Sequence, residues 1–343
     1  MKTYKYIFGV LFILVIIACN SDDVICETEE PDLPQSTCDT GLLIMRSEEF
    51  GLPLFSLDSL SKPINTPLAF QNIRQDAQDD SQFDVITRPS NYDAYNKVDN
   101  TYFIEFPFEQ RLYKYDINTQ TRQEFTVVGF YAAPVFANGN LLTITIDNFG
   151  YASNPASYSI ETINQNDGSL TNITTDSFAL QSQFNWESMS SARDNNSNIY
   201  FISGTNLISY NINTSAAMHT ELTPSFDVAT NFQTFFGLEV RDNGNLLAIR
   251  ERDDVNGVGL ELVEINVNNL SAIPTVVFDF TANSISLNSE FYSTTYDACD
   301  DTFYITSRKD ASTTDFYEID LQVGTFQTEN FPFYLMGIES KNN

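Results

Sequence analysis

The chain is 343 residues long, 42% hydrophobic, 13% aromatic and 18% charged, which supports a packed core and excludes wholesale disorder. It carries 46 acidic and 17 basic residues, a formal charge of −29, so it repels phosphate backbones and is a poor partner for nucleic acid. Phe (28) and Tyr (17) dominate the aromatics, a bias that favours β structure.

At the N-terminus Lys2 and Lys5 precede an apolar run, Ile7 to Ala18. A spanning helix needs about twenty such residues, so this shorter run reads as the core of a secretion signal. Ile16-Ile17-Ala18-Cys19 resembles the lipobox of bacterial lipoproteins. The resemblance implies removal of residues 1–18, acylation of Cys19, and a membrane attachment made by lipid alone. Asn20-Ser21-Asp22-Asp23 resembles the acidic tetrapeptide that routes some Gram-negative lipoproteins to the outer face of the outer membrane, which implies display at the cell surface. Residues 19–39 then form a lipidated acidic linker and residues 40–343 the folded domain. With Cys19 acylated, Cys26, Cys38 and Cys299 remain, an odd number. Cys26 and Cys38 flank Pro31 and Pro34 and are expected to pair, leaving Cys299 a buried thiol; Cys38–Cys299 is the alternative.

Beyond the linker a short phrase recurs, in which an apolar residue sits beside an acid or amide ahead of a turn. The copies are Phe55-Ser56-Leu57-Asp58, Tyr115-Asp116-Ile117-Asn118, Glu161-Thr162-Ile163-Asn164, Tyr210-Asn211-Ile212-Asn213, Glu264-Ile265-Asn266 and Glu318-Ile319-Asp320. Upstream of five copies lies a turn running into a β-rich segment: Asp99-Asn100, Asn138-Gly139, Asn196-Ser197, Asn243-Gly244 and Asp300-Asp301. Such pairs between alternating apolar runs signal hairpins. Each unit therefore reads as four antiparallel strands, which is one propeller blade. The expected fold is an all-β propeller of six blades. Phe331 to Ile338 is expected to supply the innermost strand of blade one, which starts near Gly41 to Met45, and so to close the ring. Gln71 to Asp84 reads as an insertion; a seventh blade hidden there is the competing count.

The segments Leu112 to Thr119 and Ile208 to Thr214 resemble the YVTN-type (quinoprotein-like) β-propellers common in bacterial surface lipoproteins. The likeness spans roughly residues 40–340. The Trp-Asp pairs of WD40 blades, the Gly-Gly of kelch repeats and the aspartate box of sialidases are absent from the sequence.

Chemistry is sparsely marked. The one histidine, His219, reads as a strand residue, and no serine-nucleophile or phosphate-loop motif occurs. No cofactor is expected. The calcium candidate, Asp194-Asn195-Asn196-Ser197-Asn198, matches only the first half of a calcium loop. Ile199 stands where glycine belongs and Thr205 where the closing acid belongs, so a hairpin turn is the plainer reading. Counting back from each turn to the start of the inner strand reaches Tyr92, Tyr131, Trp186, Phe236 and Tyr292. An aromatic ring there would either pack blades together or stack on a ligand. Glu187 flanks Trp186, and Arg46 and Glu239 are placed to reach the central channel. The expected function is a monomeric, surface-displayed binding module for a glycan or a partner surface protein. A carboxylate-dependent carbohydrate-active enzyme, hydrolase or lyase, is the alternative.

Overall fold

A computed structural model describes residues 41–47, 54–61, 70–77, 92–106, 110–128, 132–147, 156–178, 189–222, 232–254, 257–288, 292–310 and 312–342. The chain divides into two compact units, residues 1–38 and 39–343, and all the described residues belong to the second.

Alternating side chains make the blades two-faced. β1 (Gly41–Ser47), β2 (Leu54–Ser61) and β3 (Phe70–Ala77) are three strands of blade one. Blade two is β4 (Asp93–Asn96), β5 (Thr101–Phe106), β6 (Arg111–Asp116) and β7 (Thr121–Thr126). Blade three is β8 (Ala132–Ala137), β9 (Asn140–Asp147), β10 (Ala156–Ile163) and β11 (Leu170–Phe178), and blade four is β12 (Ser190–Arg193), β13 (Asn198–Ser203), β14 (Asn206–Asn211) and β15 (Ala216–Glu221). Blade five is β16 (Phe232–Val240), β17 (Leu246–Asp254), β18 (Gly257–Ile265) and β19 (Thr275–Asp279). Blade six is β20 (Tyr292–Asp297), β21 (Thr302–Arg308), β22 (Thr314–Asp320) and β23 (Thr325–Phe331), and β24 (Tyr334–Ser340) returns to pair with β1. The described strands thus form six four-stranded antiparallel sheets, the first with order β24-β1-β2-β3. The last strand closes the ring, as expected.

The core lies in the six seams between neighbouring blades. On β5, Tyr102 and Ile104 enter the seam with blade one, while Phe103 between them enters the seam with blade three. Each such side chain gains about 1.5–3 kcal/mol from burial, and a lone blade would leave both faces wet. Closure at the last seam packs Leu42, Ile44 and Ile338 of blade one against Tyr304 and Phe316 of blade six.

Inner strands are hydrogen-bonded to a neighbour on one side only, which leaves backbone groups to be satisfied. Hydroxyls from adjacent blades do this. The Ile338 and Ser340 N–H groups donate to Ser293 Oγ (3.1 Å) and Thr295 Oγ1 (2.9 Å). Leu238 N–H donates to Ser190 Oγ at 3.0 Å, and Ser191 Oγ donates to the Pro134 carbonyl at 3.1 Å. Close approach also needs small residues. A Cβ at Gly337 of β24 would collide with the Tyr102 hydroxyl and the Asp93 carboxylate of blade two.

The repeated phrase marks the turn from the third to the fourth strand. Asp116, Asn164, Asn211, Asn266 and Asp320 each accept an N–H two or three residues on, at 2.9–3.0 Å, which fixes the turn. Two expectations are corrected. Phe55 to Asp58 lies inside β2, which runs on to Ser61; Asp58 is buried and takes hydrogen bonds from Ser56, Asn72 and Arg46 instead of forming a turn. Residues 71–77, read as part of an insertion, belong to β3, the outer strand of blade one, because the unit needs a fourth strand there.

Cys299, expected as a buried thiol, is disulfide-bonded and sits in the exposed turn after β20. Its partner lies outside the described residues.

Candidate functional site

The inner strands β4, β8, β12, β16, β20 and β24 surround a cavity of about 160 Å³. Its lining includes the last residues of these strands and the turns that follow, among them Asp194, Asp242 and Ala298. The cavity therefore opens on the face that carries the inner hairpin turns. Tyr92 and Tyr292, singled out in the sequence, stand at the opposite end, where the inner strands begin.

Five blades contribute polar groups and one contributes an apolar wall. β4 presents Asp93, β12 presents Ser191 and Arg193, β16 presents Glu239, β20 presents Thr294 and β24 presents Glu339. β8 presents Pro134 and Val135. Asp93 takes a hydrogen bond from the Tyr102 hydroxyl at 2.6 Å. Burial nonetheless raises its pKa from 3.8 to about 7, against the lowering effect of Tyr102 and of the Asp93 and Ile338 backbone N–H groups. Thr294 Oγ1 donates to Glu239 at 3.0 Å. Burial pushes Glu239 well above the usual carboxylate range; the Thr294 bond works against this, and the Asp93 charge adds to it. Two acids of the cavity are thus biased toward their neutral forms, which can donate as well as accept.

The two cations differ. Arg241 donates to both Asp301 oxygens, at 3.0 and 2.5 Å, and to Glu264 at 2.7 Å, joining the turns of blades five and six. The Arg193 side chain makes no hydrogen bond or close ion pair among the described residues. Burial lowers its pKa, and the more distant charge of Glu339 partly offsets that.

Of the residues singled out in the sequence, Glu239 lines the cavity. Tyr92, Phe236 and Tyr292 are at most 1% exposed and pack in seams, so where it is described the aromatic ring holds blades together and offers no stacking face. Phe236 and Tyr292 meet with centroids 4.8 Å apart, and the Tyr292 hydroxyl accepts the Gly237 N–H at 3.2 Å. Arg46 pairs with Asp58 and lies over the Phe333 ring, 4.7 Å from its centroid, away from the channel lining. Tyr131, Trp186, Glu187, Cys19, Cys26 and Cys38 lie outside the described residues. His219 is a half-buried residue of β15 whose ring nitrogen is 2.9 Å from Asn206 Oδ1. In the calcium candidate, Asp194 accepts the Asn196 and Asn198 N–H groups, both at 2.8 Å, and the Asn198 side-chain amide at 2.7 Å; its oxygens are used to build the turn.

Asp93, Arg193, Thr294 and Glu339 escaped the sequence reading. The signal was positional: they stand in the last few residues before a hairpin turn or chain end, where an inner strand reaches the channel mouth.

No protein-family model and no curated protein matches the chain. Some solved structures are similar to it at low identity. One is a protein of unknown function from Bacteroides caccae, 12% identical, covering 87% of this chain and 97% of its own, with a TM-score of 0.46. Another, of unknown function from Bacteroides thetaiotaomicron, is 10% identical, covering 84% and 78%, with a TM-score of 0.48. The Saccharomyces cerevisiae protein Sqt1 is 10% identical, covering 88% and 78%, with a TM-score of 0.42.

Proposed function

We propose that the protein is a surface-displayed, lipid-anchored binding module of the YVTN-like propeller type that takes a glycan into the mouth of its central channel. The observation that carries this is the two-sided lining of one cavity. Pro134 and Val135 form an apolar wall, flanked by Asp93 and Arg193 on the neighbouring strands, with Glu239 and Thr294 further round the ring. A sugar ring has the same division between C–H face and hydroxyl edge, and binding sites combine apolar lining with a few placed polar groups. The cavity, about 160 Å³, is small beside the ~300–1,000 Å³ of pockets for drug-sized ligands, so it suits one ring at the end of a chain. A polar loop of a partner surface protein is the other occupant of this kind.

Calorimetric titration of the full chain with glucose, galactose and short oligosaccharides tests the reading. Binding should be present, and Ala298→Trp at the exposed rim should abolish it while leaving the melting temperature in place. Binding unaffected by the rim substitution would remove the site, and no binding would remove the glycan. The anchor has its own test. Cys19→Ala should abolish incorporation of a labelled fatty acid and release the protein from the membrane fraction, and retention of label would refute it.

A carboxylate-dependent hydrolase or lyase draws on one further observation, that Asp93 and Glu239 share the cavity and are both held toward their protonated forms by burial. Release of reducing ends from a polysaccharide, lost in Glu239→Gln, would favour that reading over the binder.

A further inference from the structure

Arg193 ends β12 at the cavity wall. Among the described residues no acceptor meets its guanidinium at hydrogen-bonding distance, and the charge of Glu339 acts on it from beyond ion-pair distance. Arg241, also in the lining, is saturated by Asp301 and Glu264. A partly buried cation without a counter-ion is costly, and the cost is relieved when a ligand brings one. The planar fork of a guanidinium matches a carboxylate through two parallel hydrogen bonds. We infer that Arg193 is a carboxylate-binding subsite of the channel mouth and that its ligand is an acidic sugar, a uronic acid.

The inference rests on the glycan reading above and specifies it. The rest of the lining selects a sugar over a free acid. Thr294 and Ser191 offer hydroxyls, and Asp93 and Glu239 offer carboxyl groups to a ring's own hydroxyls, while Pro134 and Val135 meet its apolar face. The chain's charge of −29 opposes an anion from afar. At 0.15 M salt the screening length is about 8 Å, so distant carboxylates fade while the guanidinium at contact does not.

The test is calorimetric titration of the full chain at 0.15 M salt with glucuronate, glucose and N-acetylglycine, an acid that mimics a peptide C-terminus. Glucuronate should bind about tenfold more tightly than glucose, the margin of one charge-assisted pair. Arg193→Met should erase that preference, weakening glucuronate about tenfold relative to glucose, and should not lower the melting temperature, because no internal side-chain hydrogen bond is lost. Glu339→Gln, which removes the opposing charge, should tighten glucuronate more than glucose. Glucose bound as well as glucuronate, or a preference that survives Arg193→Met, overturns the subsite and leaves the glycan reading standing. N-acetylglycine bound as tightly as glucuronate overturns the sugar assignment. Failure of all three to bind removes both this inference and the reading beneath it.

Discussion

Asp93 shows what burial in a channel does to an acid. The residue is 7% exposed, its carboxyl takes the Tyr102 hydroxyl at 2.6 Å, and burial raises its pKa from 3.8 to about 7. Between those two values the folded chain holds a proton that the unfolded chain has released, so this residue's contribution to stability declines as pH rises from 3.8 to about 7. Glu239 and Glu105 act in the same direction; both oxygens of Glu105 are buried without a partner among the described residues. Glu261 acts the other way. Burial pushes it up, but its hydrogen bonds from Arg252 and Arg250 prevail and hold it below its ordinary value, so its contribution is lost as pH falls. Asp93→Asn keeps an oxygen for Tyr102 and removes the proton. Urea unfolding at pH 5 and 6 should show the variant's stability changing less steeply, by about 1.4 kcal/mol per pH unit, the value of one proton. A slope identical to the parent's would mean that Asp93 is ionised in the fold.

At the scale of elements, the strands and turns of each blade were legible and the buried polar faces of the inner strands were not. A turn announces itself locally: Asp116 or Asp320 needs only its own oxygen and the N–H groups two or three residues on. Pairing it with the hairpin turn upstream fixed four strands per unit without knowledge of any other blade. The exception shows the limit. Phe55 to Asp58 has the same local wording, yet Asp58 binds Arg46 and Asn72 from β1 and β3, partners that no local pattern reveals. Inner strands fail for the same reason. Ser190, Ser293 and Thr295 are fully buried, although alternation would send such residues to solvent, because their hydroxyls serve N–H groups on the next blade. The channel site inherits this difficulty: Arg193 and Asp93 are ordinary polar residues until six strands converge. Aromatic size was therefore a misleading guide, since Tyr92, Phe236 and Tyr292 are what a seam requires.

For the whole molecule the decisive contact is the one that joins the two ends of the ring. β24 pairs with β1 from Leu42–Ser340 to Ser47–Tyr334. Its far end is held by blade six: Asp297 accepts the Ser340 hydroxyl at 3.2 Å and the Asn342 amide at 3.0 Å. Without β24, Leu43, Ile44 and Met45 of β1, all 0% exposed, would line an open edge, and blade six would lose the face that covers Tyr304 and Phe316. Such an edge invites pairing with other chains. A chain ending at Pro332 should therefore aggregate and lose its cooperative calorimetric transition. Covalent order, however, is incidental to this contact. The Lys341 N–H already donates to the Gly41 carbonyl at 3.1 Å, so a short turn can join the end of β24 to the start of β1. Moving Phe333 to Asn342 ahead of Gly41, with the new C-terminus at Pro332, should restore a single cooperative transition and a monomer by size exclusion. If the permuted chain stays as disordered as the truncated one, β24 does more than close the ring, and its place after blade six matters for folding. If truncation itself leaves the transition intact, the blades hold together without closure and the seams alone carry the fold.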